Sequence, residues 1–324
     1  MTAQHDTDVV SAGPDLVVLG NLLVDDIVLQ DGTTLMGEPG GAILHAALAA
    51  RLWGTRVGLV SVLGDDYPQA TLQAIAERGI DLTGIRRLGR PGGRAWLLHE
   101  PGVRRVIHHL DCPTHDEVSP SLSDIPDTYQ AARAFHLAPM PISRQRQLAT
   151  GLAARERVGS PQTPAFVSLD PYELLRDDNL SQWTSVLEHV DAFFPSEDEV
   201  RLSGDAEPAL RQVAGKRLRF VALKRGIRGG QLLNLHTGLA PAWTSRARQT
   251  VDVTGAGDAF VGGFLSGYLA YGNTQRGIQQ GIVAASFAIE DWGARGLLAA
   301  TPEQAHARWQ EWFGADNPAG FRNP

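Results

Sequence analysis

The sequence predicts an α/β protein in which a parallel sheet is covered by helices on both faces. Three observations predict it. Short apolar runs of strand length recur between amphipathic stretches of helix length, the alternation that βαβ units produce. Composition is that of an ordinary folded chain, 43% hydrophobic and 20% charged over 324 residues, which excludes disorder, collagen-like repeats and coiled coil. That length also exceeds the ~250–300 residues at which a single core stops growing, so one large domain with a smaller appendage is expected.

Taken in order, residues 1–14 read as a disordered tail. Strand-like runs follow at residues 16–19, 57–62, 134–137, 165–169, 192–194 and 220–223, and helical stretches at 41–53, 67–79, 143–157 and 206–216. After Arg248 the character changes to long helices, over residues 255–271, 273–290 and 302–312. The apolar, charge-free run at 259–272 falls short of the ~20 residues a membrane helix needs and reads as a buried helix. The alternation breaks once. Over residues 86–110, two short strand-like runs flank Glu100-Pro101-Gly102, a turn signal. This segment is expected to form a β-hairpin lid inserted between the two parts of the α/β domain, residues 15–85 and 111–315; an edge hairpin of the main sheet is the alternative. Residues 316–324 read as a C-terminal tail.

Charge and residue usage narrow the function. The net charge is -7, with 29 Lys+Arg against 36 Asp+Glu, so no positive field gathers nucleic acid or anionic lipid, and neither is expected as a partner. Only Lys216 and Lys224 are lysines, which limits Schiff-base chemistry to two candidates. The single Cys112 excludes an intrachain disulfide and fits a reducing, cytoplasmic setting. The first fifteen residues, MTAQHDTDVVSAGPD, lack a basic n-region and an apolar h-region, so no secretory signal is expected. No Walker P-loop, no Gly-rich dinucleotide fingerprint after the first strand and no protein-kinase signature set occurs.

The segment that carries chemistry is Asp252-Val253-Thr254-Gly255-Ala256-Gly257-Asp258-Ala259-Phe260. Small residues precede an Asp and then a long apolar helix, so the N–H groups of Gly255, Ala256 and Gly257 are expected to be unpaired at a positive helix end. Small side chains let a phosphate approach that backbone, and Asp258 at its lip is placed to take a proton from an attacking hydroxyl. In the plainer alternative Asp258 only caps the helix and the glycines only pack.

The stretch DVTGAGDAFVGGFLSGYLAYG resembles the C-terminal signature of the ribokinase-like (PfkB) carbohydrate kinases, D-T-x-G-A-G-D-x-F. Gly40-Gly41-Ala42-Ile43-Leu44-His45-Ala46-Ala47, then Leu52-Trp53-Gly54 and Gly64-Asp65-Asp66, resemble the N-terminal one. Gly20-Asn21-Leu22-Leu23-Val24-Asp25 is similar to the family's first strand and substrate-binding Asp. Phe194-Pro195-Ser196-Glu197-Asp198-Glu199 is similar to its P-N-x-x-E segment, and Lys224-Arg225-Gly226-Ile227-Arg228-Gly229 to its T-x-G-x-x-G nucleotide loop. These matches fall in family order from about residue 16 to 312.

The resemblance implies a ribokinase-like three-layer sandwich with a small β-lid, ATP-dependent phosphoryl transfer to a small alcohol, and dimerisation through the lid. By it, Asp258 is the catalytic base and the Gly255, Ala256 and Gly257 amides form an anion hole. Asn21, Asp25, Gly40, Gly41 and His45 hold the substrate. Ser196, Lys224, Gly226 and Gly229 border the nucleotide, and Glu199 acts on Mg²⁺ through water. Asp252 and the Trp292-Gly293-Ala294 turn are implied oxygen donors to a monovalent cation such as K⁺.

Three residues depart from the family pattern. His45 replaces an Asn, Ser196 replaces the Asn of the nucleotide segment, and Lys224 stands in the usual Thr position. His45, with Ile43 and Leu44 beside it, makes a nucleoside kinase an alternative to a sugar kinase. The Asn exchanges make a catalytically idle, metabolite-binding relative a second alternative. Lys224 is placed to pair with phosphate or with Glu197, Asp198 and Glu199. Elsewhere Cys112-x-x-His115, near His99, His108, His109 and Asp116, has a zinc-like spacing, but these residues straddle a hairpin and a Pro-bearing loop and are expected to be solvated. Arg94, Arg104 and Arg105 read as a solvated strand edge.

Overall fold

The computed structural model describes residues 13–100, 103–155, 164–203 and 206–314; most of the two expected tails and the Pro101-Gly102 turn lie outside the described residues. In chain order the strands and helices are β1 (Leu16–Leu19), β2 (Leu23–Val28), β3 (Thr34–Gly40), α1 (Ala42–Leu52), β4 (Val57–Leu63), α2 (Gln69–Glu77), β5 (Asp81–Arg87), β6 (Arg94–Glu100), β7 (Val103–His108), α3 (His115–Val118), β8 (Ala134–Leu137) and α4 (Ile142–Ala153). The second half continues with β9 (Phe166–Leu169), β10 (Leu175–Arg176), α5 (Leu180–Leu187), β11 (Ala192–Phe193), β12 (Val200–Arg201), α6 (Ala206–Val213), β13 (Phe220–Lys224), β14 (Gly230–Asn234), β15 (Ala242–Trp243), α7 (Ala256–Tyr271), α8 (Thr274–Ile289), α9 (Arg295–Ala299) and α10 (Pro302–Phe313).

The expected strands assemble into one sheet of nine, in the order β15-β14-β13-β11-β9-β8-β1-β4-β5. Seven of these run parallel, and β14 pairs antiparallel at the β13 edge. The central strand shows why the sheet is covered on both sides. All four residues of β1 are fully buried, with Leu16 and Val18 in the core beneath α1, α7 and α8 and Val17 and Leu19 in the core beneath α4 and α5. A strand that is apolar at both pleat positions has no face for water.

A second sheet of four strands, ordered β3-β2-β6-β7, stands apart from the first. It draws on more of the chain than the segment at 86–110. Residues 86 and 87 belong to β5 of the main sheet, the hairpin begins at Arg94, and β2 and β3 supply the other half. The polar residues Asp25, Asp26 and Glu38 interrupt any alternation that would have marked β2 and β3 as strands, and β2 pairs with β6 across some seventy residues of chain. The sheet is buried at its two central strands only: Asp25 and Ile27 of β2 register with Ala95 and Leu97 of β6, and all four are buried, whereas Val106 of β7, opposite Leu97, is 47% exposed.

Helices α1 and α7 pack without a side chain between them at their closest point. A Cβ on Gly262 of α7 would lie 2.0 Å from the Ala46 carbonyl oxygen of α1, so the two helices touch backbone to backbone. Their N-termini, with Gly41 and Gly255 as N-caps, are thereby brought side by side.

Candidate active site

Gly255, at the N-terminus of α7, has φ +72°, a left-handed conformation that a side chain would strain. The turn is tight: the Ala256 N–H donates to the Val253 carbonyl at 3.3 Å, and the Ala259 N–H to Gly255 at 2.8 Å. Of the three amides expected to be unpaired, the one on Ala256 is therefore engaged. Those of Gly255, Gly257 and Asp258 have no partner among the described residues and point out of a sixteen-residue helix, where the dipole favours an anion. The Asp258 carboxylate lies in this first turn, half-buried and without a hydrogen bond among the described residues.

The residues expected to bind substrate gather beside it. Gly41 has φ +103°, and a Cβ there would lie 2.2 Å from the Asn21 carbonyl oxygen. A Cβ on Gly40 would overlap the Asp25 carboxylate, so the two glycines let the β1–β2 connection and Asp25 lie directly on the turn into α1. His45, 2% exposed, directs Nδ1 toward the Gly41 carbonyl at 3.3 Å, while its Nε2 is buried with no partner. Both side-chain amide atoms of Asn21 are likewise buried and unpartnered.

Tyr67 joins this group. Its hydroxyl is buried and unpartnered, and burial, reinforced by the Asp25 carboxylate, holds the phenol far above its ordinary pKa. The sequence carried a signal for it, since Tyr67 directly follows Gly64-Asp65-Asp66. Buried polar atoms are nearly always paired, so an accumulation of unpaired ones beside a helix end with open amides marks where a polar ligand fits.

Opposite stands the segment expected to border the nucleotide. The Lys224 N–H donates to the Pro195 carbonyl at 2.8 Å, the Glu197 N–H donates to the Lys224 carbonyl at 2.9 Å, and Ser196 and Lys224 form a parallel bridge. Glu199 accepts the Ser196 N–H on Oε2 at 2.6 Å, which leaves Oε1 uncommitted among the described residues. A single available carboxylate oxygen fits Mg²⁺, which retains most of its waters. Gly226 and Gly229 form a left-handed turn at the rim, with Ile227 between them 91% exposed.

Of the three acidic residues expected for it, Lys224 pairs directly with none, and only Glu199 acts on it electrostatically. Glu197 is taken by Arg228 and Asp198 by Arg201, and Lys224 Nζ donates instead to Asp170 Oδ2 at 2.5 Å. Asp170, which the sequence did not single out, directly follows the last residue of β9. Burial pushes its carboxyl well above the usual range, with Glu199 and Asp258 adding repulsion and Lys224 opposing them. Burial works against the Lys224 ammonium too, yet Asp170, Glu199 and Asp258 together hold its pKa above the ordinary value.

Asp252 accepts from backbone on both oxygens. Oδ1 accepts the Thr254 N–H at 2.9 Å and lies 3.4 Å from His99 Nε2 of β6, and Oδ2 accepts the Gly293 N–H at 2.9 Å. Three nitrogens lie around it, and each of its two oxygens keeps a further lone pair beyond the N–H it accepts, which is what a monovalent cation would use. The Cys112-x-x-His115 region assembles no ligands: among the described residues no group of three His, Cys, Asp or Glu side chains is placed to hold a metal. His115 packs edge-on against Tyr172, with ring centroids 4.3 Å apart. Arg94 is drawn to Asp26 by two hydrogen bonds of 2.7 and 2.8 Å, and Arg105 pairs with Glu100.

A parallel-sheet sandwich with a second small sheet, and open helix-end amides beside a carboxylate, is the setting of a phosphotransferase with an alcohol acceptor, the class to which the family and relatives of this chain belong. Residues 14–300 match the model of the pfkB family carbohydrate kinases, and the chain belongs to that family. It is 30% identical over 287 residues to a cytidine kinase of Thermococcus kodakarensis, covering 86% of this chain and 97% of that one. To a ribokinase of Haemophilus influenzae it is 25% identical over 304 residues, 87% and 94% of the two chains. Among solved structures, a provisionally named ribokinase II from Escherichia coli, in complex with ATP and Mg²⁺, superposes with a TM-score of 0.72 at 20% identity, over 92% of this chain and all of that one.

Proposed function

We propose that this kinase transfers the terminal phosphoryl group of ATP to a hydroxyl of a sugar, either free or carried by a nucleoside. The observation that carries the reading is the meeting of the open amides of α7 and Asp258 with the buried, unpartnered polar atoms of Asn21, His45 and Tyr67. In this reading the acceptor hydroxyl is oriented by Asn21, Asp25 and the Gly40-Gly41 turn. Asp258 takes its proton as the oxygen attacks phosphorus, and the Gly255, Gly257 and Asp258 amides hold the charge on the moving group. The Gly226–Gly229 turn borders the nucleotide. Mg²⁺, when bound through water to Glu199, would neutralise phosphate charge. The four-stranded sheet acts as the lid, its buried central strand β2 carrying Asp25 over the acceptor.

Within that class, a nucleoside is the second reading, and the relative named a cytidine kinase favours it. Ile43 and Leu44 no longer do so: both are fully buried in the main core and line no substrate surface. No helix among the described residues is long and apolar enough to cross a membrane.

Purified protein with Mg-ATP should release ADP in the presence of one class of acceptor from a panel of sugars and nucleosides, with the phosphorylated position read by ³¹P NMR. If nothing in the panel is phosphorylated while one of its members raises the melting temperature, the chain is a metabolite-binding relative and the reading is wrong.

A further inference from the structure

We infer that Lys224 is a catalytic residue of the phosphoryl transfer, with Asp170 as the positioning residue that holds its ammonium against the N-terminus of α7. The inference rests on the reading of that helix end as the phosphoryl site, and it replaces the expectation that Lys224 only borders the nucleotide. Four observations converge on it. A Cβ on Gly257 would lie 3.3 Å from Lys224 Nζ, so the ammonium stands over the backbone that would receive the phosphoryl group. Asp170 grips it at 2.5 Å from a position 2% exposed. The strand behind it is pinned to Pro195 and Glu197 through both its N–H and its carbonyl. The charged groups that act on it are Asp170, Glu199 and Asp258.

The chemistry gives such a cation a purpose. In the transfer, the bond from phosphorus to the ADP leaving oxygen breaks and a bond from phosphorus to the acceptor oxygen forms. The hydroxyl proton passes to Asp258, and Lys224 remains protonated throughout. Glu199 and Asp258 present negative charge to a group that is itself anionic. A fixed ammonium over Gly257 offsets that repulsion where charge is shared between the entering and leaving oxygens, and because Asp170 already holds it, little reorganisation is needed during the step. Gly257 is part of the device, since the absence of a side chain leaves the ammonium room beside the amides.

The chain contains only two lysines, Lys216 exposed and Lys224 at the site, which makes a test on the unmutated protein simple. With lysine side chains isotopically labelled, Mg-ADP plus aluminium fluoride, a mimic of the transferring phosphoryl, should shift one of the two NMR signals, while Mg-ADP alone should not. A Lys216→Arg variant assigns it. If the Lys224 signal is unmoved by the mimic, the inference is wrong.

Kinetics supply the second arm. Lys224→Met should lower kcat about 10²–10³-fold, the usual cost of losing one donor at a transition-state anion site, with the KM for ATP little changed. Asp170→Asn should lower kcat about tenfold, also without a change in that KM. Should Lys224→Met fold poorly because it leaves Asp170 buried alone, the pair Lys224→Met with Asp170→Asn removes both charges and should show the same loss. A rise confined to the KM for ATP, or full kcat in Lys224→Thr, would overturn the inference. Failure of the underlying reading looks different, because Asp258→Asn would then be as active as the parent protein.

Discussion

His45 occupies the space that a side chain on Gly255 would need: a Cβ at 255 would lie 2.0 Å from its Cδ2 and 2.3 Å from its Nε2. The two N-caps of α1 and α7 are thus locked together through one imidazole. Gly255→Ala would meet both that ring and an unfavourable φ of +72°. Strain of this kind costs about 1–3 kcal/mol, so the variant should melt several degrees lower. Its kcat should fall further than its stability accounts for, because the displaced turn carries the anion-binding amides. A melting curve and initial rates check both.

Asp258 bears no hydrogen bond that the fold depends on among the described residues, so its removal separates chemistry from structure. Asp258→Asn should keep the melting temperature and ATP binding while lowering turnover ~10²–10⁴-fold, the range for loss of a positioned base. An Asn variant within a few-fold of the parent kcat would remove Asp258 from the base role.

Tyr67 offers a test of the acceptor side. Its hydroxyl is buried without a partner, so Tyr67→Phe deletes a desolvated group that the ligand-free protein leaves unsatisfied. The free protein should be unchanged or more stable by up to about 1 kcal/mol. The KM for the acceptor should rise about tenfold, the worth of one lost hydrogen bond, while the KM for ATP stays put. Equal changes in both constants would place Tyr67 elsewhere in the mechanism.

Acid should destabilise the fold through two histidines. Burial, assisted by the neighbouring His108, lowers His115 to about 4, and burial with Lys224 nearby lowers His136 to about 3. In the unfolded chain both protonate below about 6.5. The unfolded state therefore binds more protons between about pH 6.5 and 3, so stability is intact above that window and is lost as pH falls through it. For His115 the full contribution is on the order of 3 kcal/mol. His115→Gln should flatten the dependence of melting temperature on pH between about 6.5 and 4, and an unchanged slope would show that the His115 ring is open to water.

Much of the site was legible in the order of the chain because its chemistry is local. The Gly255 to Asp258 run announces an anion-binding helix start through backbone groups and small side chains, and β1 announces a doubly covered strand by being apolar at every position. Gly40 and Gly41 were legible only through the family resemblance, since the groups that exclude a side chain there, the Asp25 carboxylate and the Asn21 carbonyl, lie 15 to 20 residues away in the chain. The four-stranded second sheet was only half visible. Its β6–β7 hairpin closes locally, but β2 and β3 carry acidic residues and find their partner far along the chain.

The sequence by itself determined the class of fold, the small-residue turn into α7 and the carboxylate of Asp258 beside it, because periodicity, glycine placement and helix ends act over a few residues. Only the tertiary structure decided which polar groups meet. That Lys224 chose Asp170 over Glu197, that Asp252 was surrounded by nitrogens, and that Tyr67 faced Asp25 all depend on contacts between distant segments. Burial sets their strength, and no local pattern encodes how deeply a side chain will be buried.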